Sequence, residues 1–302
     1  MTSEVVAALS PRDGGTYLDC TAGGGGHSEA LLEASSPTGR LFACDRDASA
    51  VKATRERLAR FSGRFEIRQG SFADVDQWVP PASCDGAVAD LGASSAQLDD
   101  PDRGFAFASP AALDMRFDVR QPLTAAQVVN EAGEEELAKI FWELGDERHA
   151  RRLARAVVRA RQARPFTSAR QLADFIAQVL PYGGGRIHPA TRVFQALRCH
   201  VNAELEELDR GLPAIWRTLK IHGRLATLAF HSGEDRRVKL FGAQLARDYE
   251  VEGAVDVPEF RRPRPPKMRW LSRKALQPSA EEVAANPRAR SARLRVMEKL
   301  SD

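Results

Sequence analysis

The sequence has few features of secreted, membrane-bound or metal-binding proteins. Its four cysteines are Cys20, Cys44, Cys84 and Cys199, and no two of them form the C-x-x-C pair of a typical zinc site. No apolar run approaches the ~20 residues that a membrane-spanning helix needs, and the chain does not begin with a secretory signal. We therefore expect a cytoplasmic protein with buried free thiols, no disulfide, no metal and no membrane contact.

What is present is the composition of a globular protein, with 43% hydrophobic and 28% charged residues among 302. The formal net charge is only +3, but basic residues concentrate in two blocks. Residues 147–170 contain eight arginines and one acid, and residues 261–302 contain twelve Lys or Arg and four acids. Two basic blocks in a nearly neutral chain indicate a polyanionic partner.

Strands and helices alternate in the first third of the chain. We predict strands at 16–20, 40–45, 64–69 and 84–91, and helices at 27–34 and 48–60. This alternation predicts a parallel sheet with helices on both faces. Several of these strands end at an acid, and open sheets of this class bind ligands at the carboxyl ends of their strands.

The alternation stops between about Pro101 and His200. Helices are predicted there at 134–143, 147–162, 168–179 and 190–199, with no strand between them. A helix at 202–219 and a strand at 223–230 resume the first pattern, and the segment 261–266 predicts a loop before a last strand at 293–297. We therefore predict a core formed by residues 1–100 and 201–302, with a helical insertion at 101–200.

A glycine-rich turn, DCTAGGGGH at residues 19–27, is the motif that indicates a ligand. Glycine lets a ligand lie against bare backbone, and Asp45, at the end of the second strand, can accept both hydroxyls of a ribose. A nicotinamide dinucleotide requires G-x-G-x-x-G, but the third position here is Ser28 or Glu29, and a carboxylate would repel a pyrophosphate. The acids at the strand ends, including Asp19 and Asp90, suit the sulfonium cation of S-adenosylmethionine better.

Eight strings then coincide in order along the chain. They are DCTAGGGGHS (19–28), DRD (45–47), ADLGASSAQLDDPDRGFAF (89–107), LDMR (113–116), HPATRVFQALR (188–198), VNAELEEL (201–208), FHSGEDRRVK (230–239) and NPRARSARLR (286–295). With these strings the chain resembles the RsmH (MraW) family of 16S ribosomal RNA cytosine N4-methyltransferases, from about Tyr17 to Val296.

The resemblance implies a class I S-adenosylmethionine-dependent methyltransferase (Rossmann-like) fold, an α/β architecture with an inserted all-helical substrate-recognition domain. It implies methylation of the N4 atom of the decoding-centre cytidine 1402 in 16S ribosomal RNA. The implied cofactor is S-adenosylmethionine, and the implied partner is 16S ribosomal RNA within the assembled small subunit. We expect either a monomer or a homodimer.

The resemblance also implies which residues contact the cofactor. By position they are Gly25, Gly26 and His27 in the turn, Asp45 for the ribose, Phe72 beside the adenine, and Asp90 and Gln97 after the fourth strand. Taken alone, Phe72 could be core, Gln97 a surface residue, Asp90 a turn cap and His27 the start of a helix.

Two departures from the family pattern concern the substrate pocket. The family usually has a His-x-Pro-Val segment ahead of the first strand, and none occurs between Met1 and Thr16. Either the start is truncated or that part of the pocket is built differently. The family usually has leucine where this chain has Gly233, which removes one apolar contact at the start of a helix.

The N4 amine of cytosine is a poor nucleophile, because its lone pair is delocalised into the ring. The site must therefore hold the amine in line with the methyl group and accept its proton. Many amino-methyltransferases use an Asn/Asp-Pro-Pro-Tyr motif after the fourth strand. Here Asp90 stands in that place without the Pro-Pro-aromatic platform, so Asp90 is either the acceptor or only a cofactor contact. His231 and Asp235 are weaker candidates.

Two sets of arginines are candidate contacts to RNA phosphates. Arg148, Arg152, Arg155 and Arg159 have the spacing of one helical face, and Arg288, Arg290, Arg293 and Arg295 lie in the tail. A solvated helix face explains the first set equally well. Two further functions stay open: a nicotinamide-dependent oxidoreductase, and a non-catalytic RNA-binding assembly factor that kept the fold.

Overall fold

A computed structural model describes residues 1–180, 188–253 and 255–302. The chain divides into two compact units. Unit 1 comprises Met1–Gly92 and Leu205–Asp302, and unit 2 comprises Ala93–Glu204. Residues 181–187 of the predicted helical insertion lie outside the described residues, and the predicted division into functional domains stays a prediction.

The strands all belong to unit 1. They are β1 (Thr16–Asp19), β2 (Arg40–Asp45), β3 (Phe65–Gln69), β4 (Cys84–Asp90), β5 (Leu219–Ala229), β6 (Tyr249–Val251), β7 (Arg261–Pro263), β8 (Met268–Trp270) and β9 (Arg293–Lys299).

The helices are distributed over both units. They are α1 (Thr2–Leu9), α2 (Gly26–Ala34), α3 (Ala48–Arg57), α4 (Ser95–Asp99), α5 (Ala125–Glu131), α6 (Glu134–Glu143), α7 (Ala150–Ala163), α8 (Ala169–Val179), α9 (Thr191–Val201), α10 (Glu204–Thr218), α11 (Ser232–Leu245) and α12 (Ala280–Ala285). Across the described residues, none of these helices is long and apolar enough to cross a membrane.

The main sheet of unit 1 has the strand order β3-β2-β1-β4-β5-β9-β8. The first five strands pair in parallel, and β9 pairs antiparallel with both β5 and β8. The chain order reverses between β1 and β4, which makes their carboxyl ends the switch point where open α/β sheets bind ligands. This topology confirms the predicted Rossmann-like α/β fold.

Alternate residues of the central strands supply two separate cores, because successive side chains of a strand point to opposite faces. Tyr17 and Val88 belong to the core that α1, α2 and α3 cover, which includes Val5, Leu31 and Val51. Leu18 and Ala87 belong to the core on the other face, which includes Leu212, Ile215 and Val238 from α10 and α11. Burial on both faces explains why these strands read as continuous apolar runs.

Unit 2 is helical over its described residues, as the sequence predicts for this segment. Its core includes the fully buried Leu137, Phe141, Leu153, Leu172 and Leu197. The predicted helix at 147–162 begins later than expected, at Ala150. The cause is local, because the Glu147 carboxylate accepts a hydrogen bond from the His149 amide (2.8 Å) and holds that segment as a turn.

The predicted loop at 261–266 is wrong at its start. Residues Arg261–Pro263 form β7, which pairs antiparallel with β6 in a separate two-stranded sheet. Proline is tolerated there because β7 is an edge strand, whose outward-facing amides need no partner strand. All four cysteines are buried free thiols, as predicted.

Candidate active site

The glycine turn joins β1 to α2 at the switch point of the sheet. Gly23 (φ 52°) and Gly25 (φ 80°) adopt the left-handed conformation, which residues with a side chain rarely take. A Cβ at Gly25 would also lie 3.1 Å from Cδ of Arg57 and 3.3 Å from Cα of Thr54. The backbone conformation therefore favours glycine at position 25, and a side chain there would also press on α3.

Two side chains of helix α3 hold the shape of this turn by donating hydrogen bonds to its backbone carbonyls. The Thr54 hydroxyl donates to the Gly23 carbonyl (3.1 Å), and the Arg57 guanidinium donates to the Gly24 carbonyl (2.8 Å). Neither residue was predicted to contribute to the site. A donor that meets a backbone carbonyl more than 30 residues away leaves no motif in the sequence.

Asp45 links the end of β2 to the glycine turn. Its Oδ2 accepts a hydrogen bond from the Gly23 amide (2.8 Å), and its Oδ1 accepts one from the Asp47 amide (2.9 Å). Burial raises the pKa of Asp45 to about 6, against the lowering effect of these two bonds. Each carboxylate oxygen has a second lone pair, so the group can accept two more hydrogen bonds from a diol.

Asp19 is an internal anchor of the turn. The side chain is fully buried and accepts hydrogen bonds from the Ser28 hydroxyl (2.6 Å) and the Thr21 amide (3.2 Å). Burial raises the pKa of Asp19, although His27 and these two bonds act in the opposite direction. Ser28, which interrupts the dinucleotide glycine pattern, therefore stabilises the buried carboxylate of Asp19.

Glu29 is ion-paired in the structure. Its carboxylate pairs with Nε of Arg57 (2.9 Å) and with Nη2 of Arg60 (2.8 Å). These partners reduce the net negative charge at the start of α2, and the expected repulsion of a pyrophosphate by Glu29 stays a prediction.

His27 and Asp90 face each other across the switch point. Nε2 of His27 lies 3.4 Å from Oδ2 of Asp90, and the Asp90 amide donates to the Thr21 hydroxyl (2.7 Å). Burial opposes protonation of the imidazole, but the carboxylates of Asp90 and Asp19 together favour it more strongly, so the pKa of His27 is raised.

The other polar atom of each group, Nδ1 of His27 and Oδ1 of Asp90, is buried with no hydrogen-bond partner among the described residues. Buried polar atoms in proteins are nearly always hydrogen-bonded, and the rare unpartnered ones often mark a catalytic or ligand site. When the imidazole is protonated, the pair therefore offers one donor, Nδ1–H of His27, and one acceptor, Oδ1 of Asp90, to a ligand at the switch point.

Phe72 is the first residue of a short 3-10 helix that follows β3. Its ring is half-buried and packs against the core, and a Cβ at Gly211 of α10 would overlap it. The preceding Gly70 amide donates to the Asp45 carbonyl (2.8 Å), which ties this segment to the end of β2. Phe72 thus packs against the core, and its predicted contact with the adenine stays a prediction.

Gln97 lies in unit 2 and is buried. Its backbone amide donates to the Ser94 hydroxyl (3.2 Å), and its side-chain oxygen accepts from the Ser94 backbone amide (2.9 Å). These reciprocal bonds form a capping box at the start of α4. The predicted contact between Gln97 and the cofactor stays a prediction.

The two weaker candidates for proton acceptor have structural partners in unit 1. His231 caps α11, with Nδ1 accepting from the Gly233 amide (3.2 Å) and Nε2 lying 3.2 Å from Glu234. Asp235 accepts from Arg295 (2.6 Å) and Arg293 (3.1 Å), which hold the pKa of its carboxyl below the usual value against the effect of burial. Arg293 and Arg295, two of the tail arginines that are candidate contacts to RNA, are thus paired with Asp235.

Gly233 lies beside the ring of His231. A Cβ at this position would lie 3.1 Å from Nδ1 and Cε1 of His231 and 3.5 Å from Cδ1 of Leu205. A larger residue here would therefore press on the imidazole. The departure from the family pattern thus gives the His231 ring more room, in addition to removing an apolar contact.

Comparison with known proteins identifies the relatives of this chain. The profile of the MraW methylase family matches residues 1–300. A protein of Syntrophotalea carbinolica named ribosomal RNA small subunit methyltransferase H is 46% identical, over 99% of this chain and 96% of its own length. Proteins with the same name from Magnetococcus marinus (100% and 97% covered) and a Cyanothece species (99% and 93% covered) are also 46% identical.

Proposed function

Since the chain belongs to the MraW methylase family, we propose that it is an S-adenosylmethionine-dependent methyltransferase acting on small-subunit ribosomal RNA. The observation that carries this proposal is the group of features at the switch point. A glycine turn with left-handed backbone, the Asp45 carboxylate and the buried, unpartnered atoms of His27 and Asp90 lie at one edge of the sheet. The names of the relatives support ribosomal RNA as the substrate.

The residues at this edge fit S-adenosylmethionine. Asp45 can accept both ribose hydroxyls, because each oxygen now accepts only one amide hydrogen bond. Gly25 and Gly26 let the cofactor approach the backbone, and Nδ1–H of the protonated His27 imidazole, whose pKa is raised, is a donor suited to a carboxylate. Phe72 is suited to the adenine side. When bound, S-adenosylmethionine supplies an electrophilic methyl group on a sulfonium.

Asp90 is the group that we propose accepts the proton of the attacking amine. Its Oδ2 contacts His27, and its backbone is held by Thr21, so Oδ1 has a fixed position at the carboxyl end of β4. A carboxylate hydrogen-bonded to the amine draws the nitrogen lone pair out of conjugation as the new bond forms. Such positioned proton transfer contributes about 10²–10⁴ to the rate of a typical enzyme.

We further propose that the nucleophile is the N4 amine of cytosine, at the decoding-centre cytidine 1402 of 16S ribosomal RNA. The strings that carry the family resemblance support this finer assignment, among them FHSGEDRRVK at 230–239. The assembled small subunit, rather than naked RNA, is the proposed substrate. The base must leave its stack to reach a pocket of this kind.

Methylation of purified substrates tests the proposal. The protein is incubated with labelled S-adenosylmethionine and either small ribosomal subunits or naked 16S ribosomal RNA. We expect label in the RNA of the assembled subunits, and a rate of labelling lower by about 10²–10⁴ when Asp90→Asn replaces the parent protein. If the parent binds subunits but transfers no methyl group to their RNA, the protein is a non-catalytic RNA-binding factor and the proposal fails.

A further inference from the structure

The exposed face of α7 in unit 2 is composed of arginine. Leu153, Ala154 and Val157 are fully buried on one side of the helix. The opposite side presents Arg151, Arg152, Arg155 and Arg159, all of them exposed. We call these four residues the α7 arginine stripe. Arg148, which the sequence places on the same face, lies outside the helix because α7 begins at Ala150.

Few acids compensate the stripe. Arg155 pairs with Glu134 of α6, at 3.2 Å between two exposed side chains. Among the residues that the structure describes, no acid pairs with Arg151, Arg152 or Arg159. None of the 14 residues of α7 is acidic. The exposed residues of α10 differ, since two acids, Glu206 and Asp209, accompany its two arginines, Arg210 and Arg217.

The arrangement is unfavourable for the isolated helix in two ways. Arg151 and Arg155, and then Arg155 and Arg159, are like charges at i,i+4, a spacing at which they repel. Arg151 and Arg152 also lie in the first turn, where the helix dipole disfavours cations, and no acid or side-chain cap offsets them. A solvated face with no ligand would be more stable with mixed charges.

We propose that the α7 arginine stripe binds the phosphate backbone of the RNA substrate. A row of guanidinium groups rising along one helix matches a row of phosphates, and each contact releases condensed counterions. The bound polyanion removes the repulsion that the free helix carries. This inference rests on the proposed function for the identity of the RNA, but its test does not require methyl transfer.

The test compares two double variants that remove the same charge. Arg152→Gln with Arg159→Gln removes two unpaired arginines of the stripe. Arg12→Gln with Arg217→Gln is the matched control, because Arg12 and Arg217 are as exposed but pair with Asp85 (2.8 Å) and with Asp76 in unit 1. The affinity of each protein for a 16S ribosomal RNA transcript is measured between about 50 and 200 mM salt.

We expect the stripe variant to bind RNA more weakly and to lose about 1.4–1.8 from the slope of log affinity against log salt, or 0.7–0.9 for each phosphate contact. The control variant should keep the parent slope. Arg155→Gln alone should change the slope less than Arg159→Gln alone, since Glu134 already neutralises Arg155. The melting temperature of the stripe variant should equal or exceed that of the parent, because repulsion is relieved.

A parent slope in the stripe variant would overturn the inference, and so would an equal loss in the control variant. Methyl transfer by the parent to small-subunit RNA is measured in parallel. If the parent transfers no methyl group, the proposed function fails whatever the slope. If the parent transfers the group while the stripe variant keeps the parent slope, only the assignment of the stripe fails.

Discussion

Replacing Asp45 by asparagine should weaken the binding of S-adenosylmethionine and remove most of its dependence on pH. Asp45 accepts amide hydrogen bonds from Gly23 and Asp47, one on each carboxylate oxygen. The asparagine side chain has a single acceptor oxygen, so one of the two amides loses its partner. The same change removes one acceptor for the ribose diol, while the size of the side chain is kept.

The expected magnitude follows from the lost bonds. A hydrogen bond to a charged group contributes about 1.5–3 kcal/mol, which corresponds to roughly a 10- to 100-fold rise in Kd at pH 7. The pKa of Asp45 is raised to about 6, chiefly by burial. The ionised fraction therefore falls from about nine-tenths at pH 7 to about one-tenth at pH 5. The parent protein should lose about tenfold in affinity over this range.

Titration calorimetry with S-adenosylmethionine at pH 5, 6, 7 and 8 checks this expectation. The affinity of the parent protein for S-adenosylmethionine should be high above pH 6 and should fall as the pH falls through that value. The reason is that only the ionised carboxylate of Asp45 accepts hydrogen bonds from both hydroxyls. The ratio of the Kd of Asp45→Asn to that of the parent cancels any titration of the cofactor itself. This ratio should shrink toward low pH, because the parent carboxylate becomes protonated there. A ratio of one at every pH would refute the assignment of Asp45 to the ribose.

Four further changes test other parts of the account. Gly25→Ala forces a side chain into the left-handed conformation against α3, and it should cost about 1–3 kcal/mol of unfolding free energy and weaken cofactor binding in calorimetry. Arg57→Met removes the bond to the carbonyl of the glycine turn, and it should raise the Kd for the cofactor roughly fivefold with the affinity for RNA unchanged. Asp90→Asn should slow single-turnover methyl transfer by about 10²–10⁴, and an unchanged rate would exclude Asp90 as the acceptor. Leu153→Ala, at a fully buried position of α7, should cost about 2–5 kcal/mol in chemical denaturation.

The parallel strands β1–β5, the antiparallel strand β9 and the sheet edge proposed to bind the ligand could be predicted from the sequence, because their signals are local. A run such as CDGAVAD in β4 is apolar over its whole length since both of its faces are buried. Asp45 and Asp90 end their strands, so the parallel topology alone brings them to one edge. The predicted family and fold are confirmed, and methyl transfer agrees with membership in a methylase family.

The contacts that set the shape of the site could not be predicted, because they join distant parts of the chain. Thr54 and Arg57 meet the glycine turn only after α3 has packed on the sheet. The ion pairs of Glu29 with Arg57 and Arg60 depend on the same packing and could not be predicted either. The start of α7 depends on the hydrogen bond that the Glu147 side chain accepts from the His149 amide, and helix propensities do not predict such a bond.

The identity of the methylated nucleoside tests the central claim most directly. Small ribosomal subunits that lack this modification are incubated with the protein and S-adenosylmethionine, and their RNA is digested and analysed by mass spectrometry. The account predicts N4-methylcytidine, formed at a single position of 16S ribosomal RNA by the parent and about 10²–10⁴ more slowly by Asp90→Asn. A methyl group on carbon 5 of cytosine, on a ribose oxygen or on another base would contradict it.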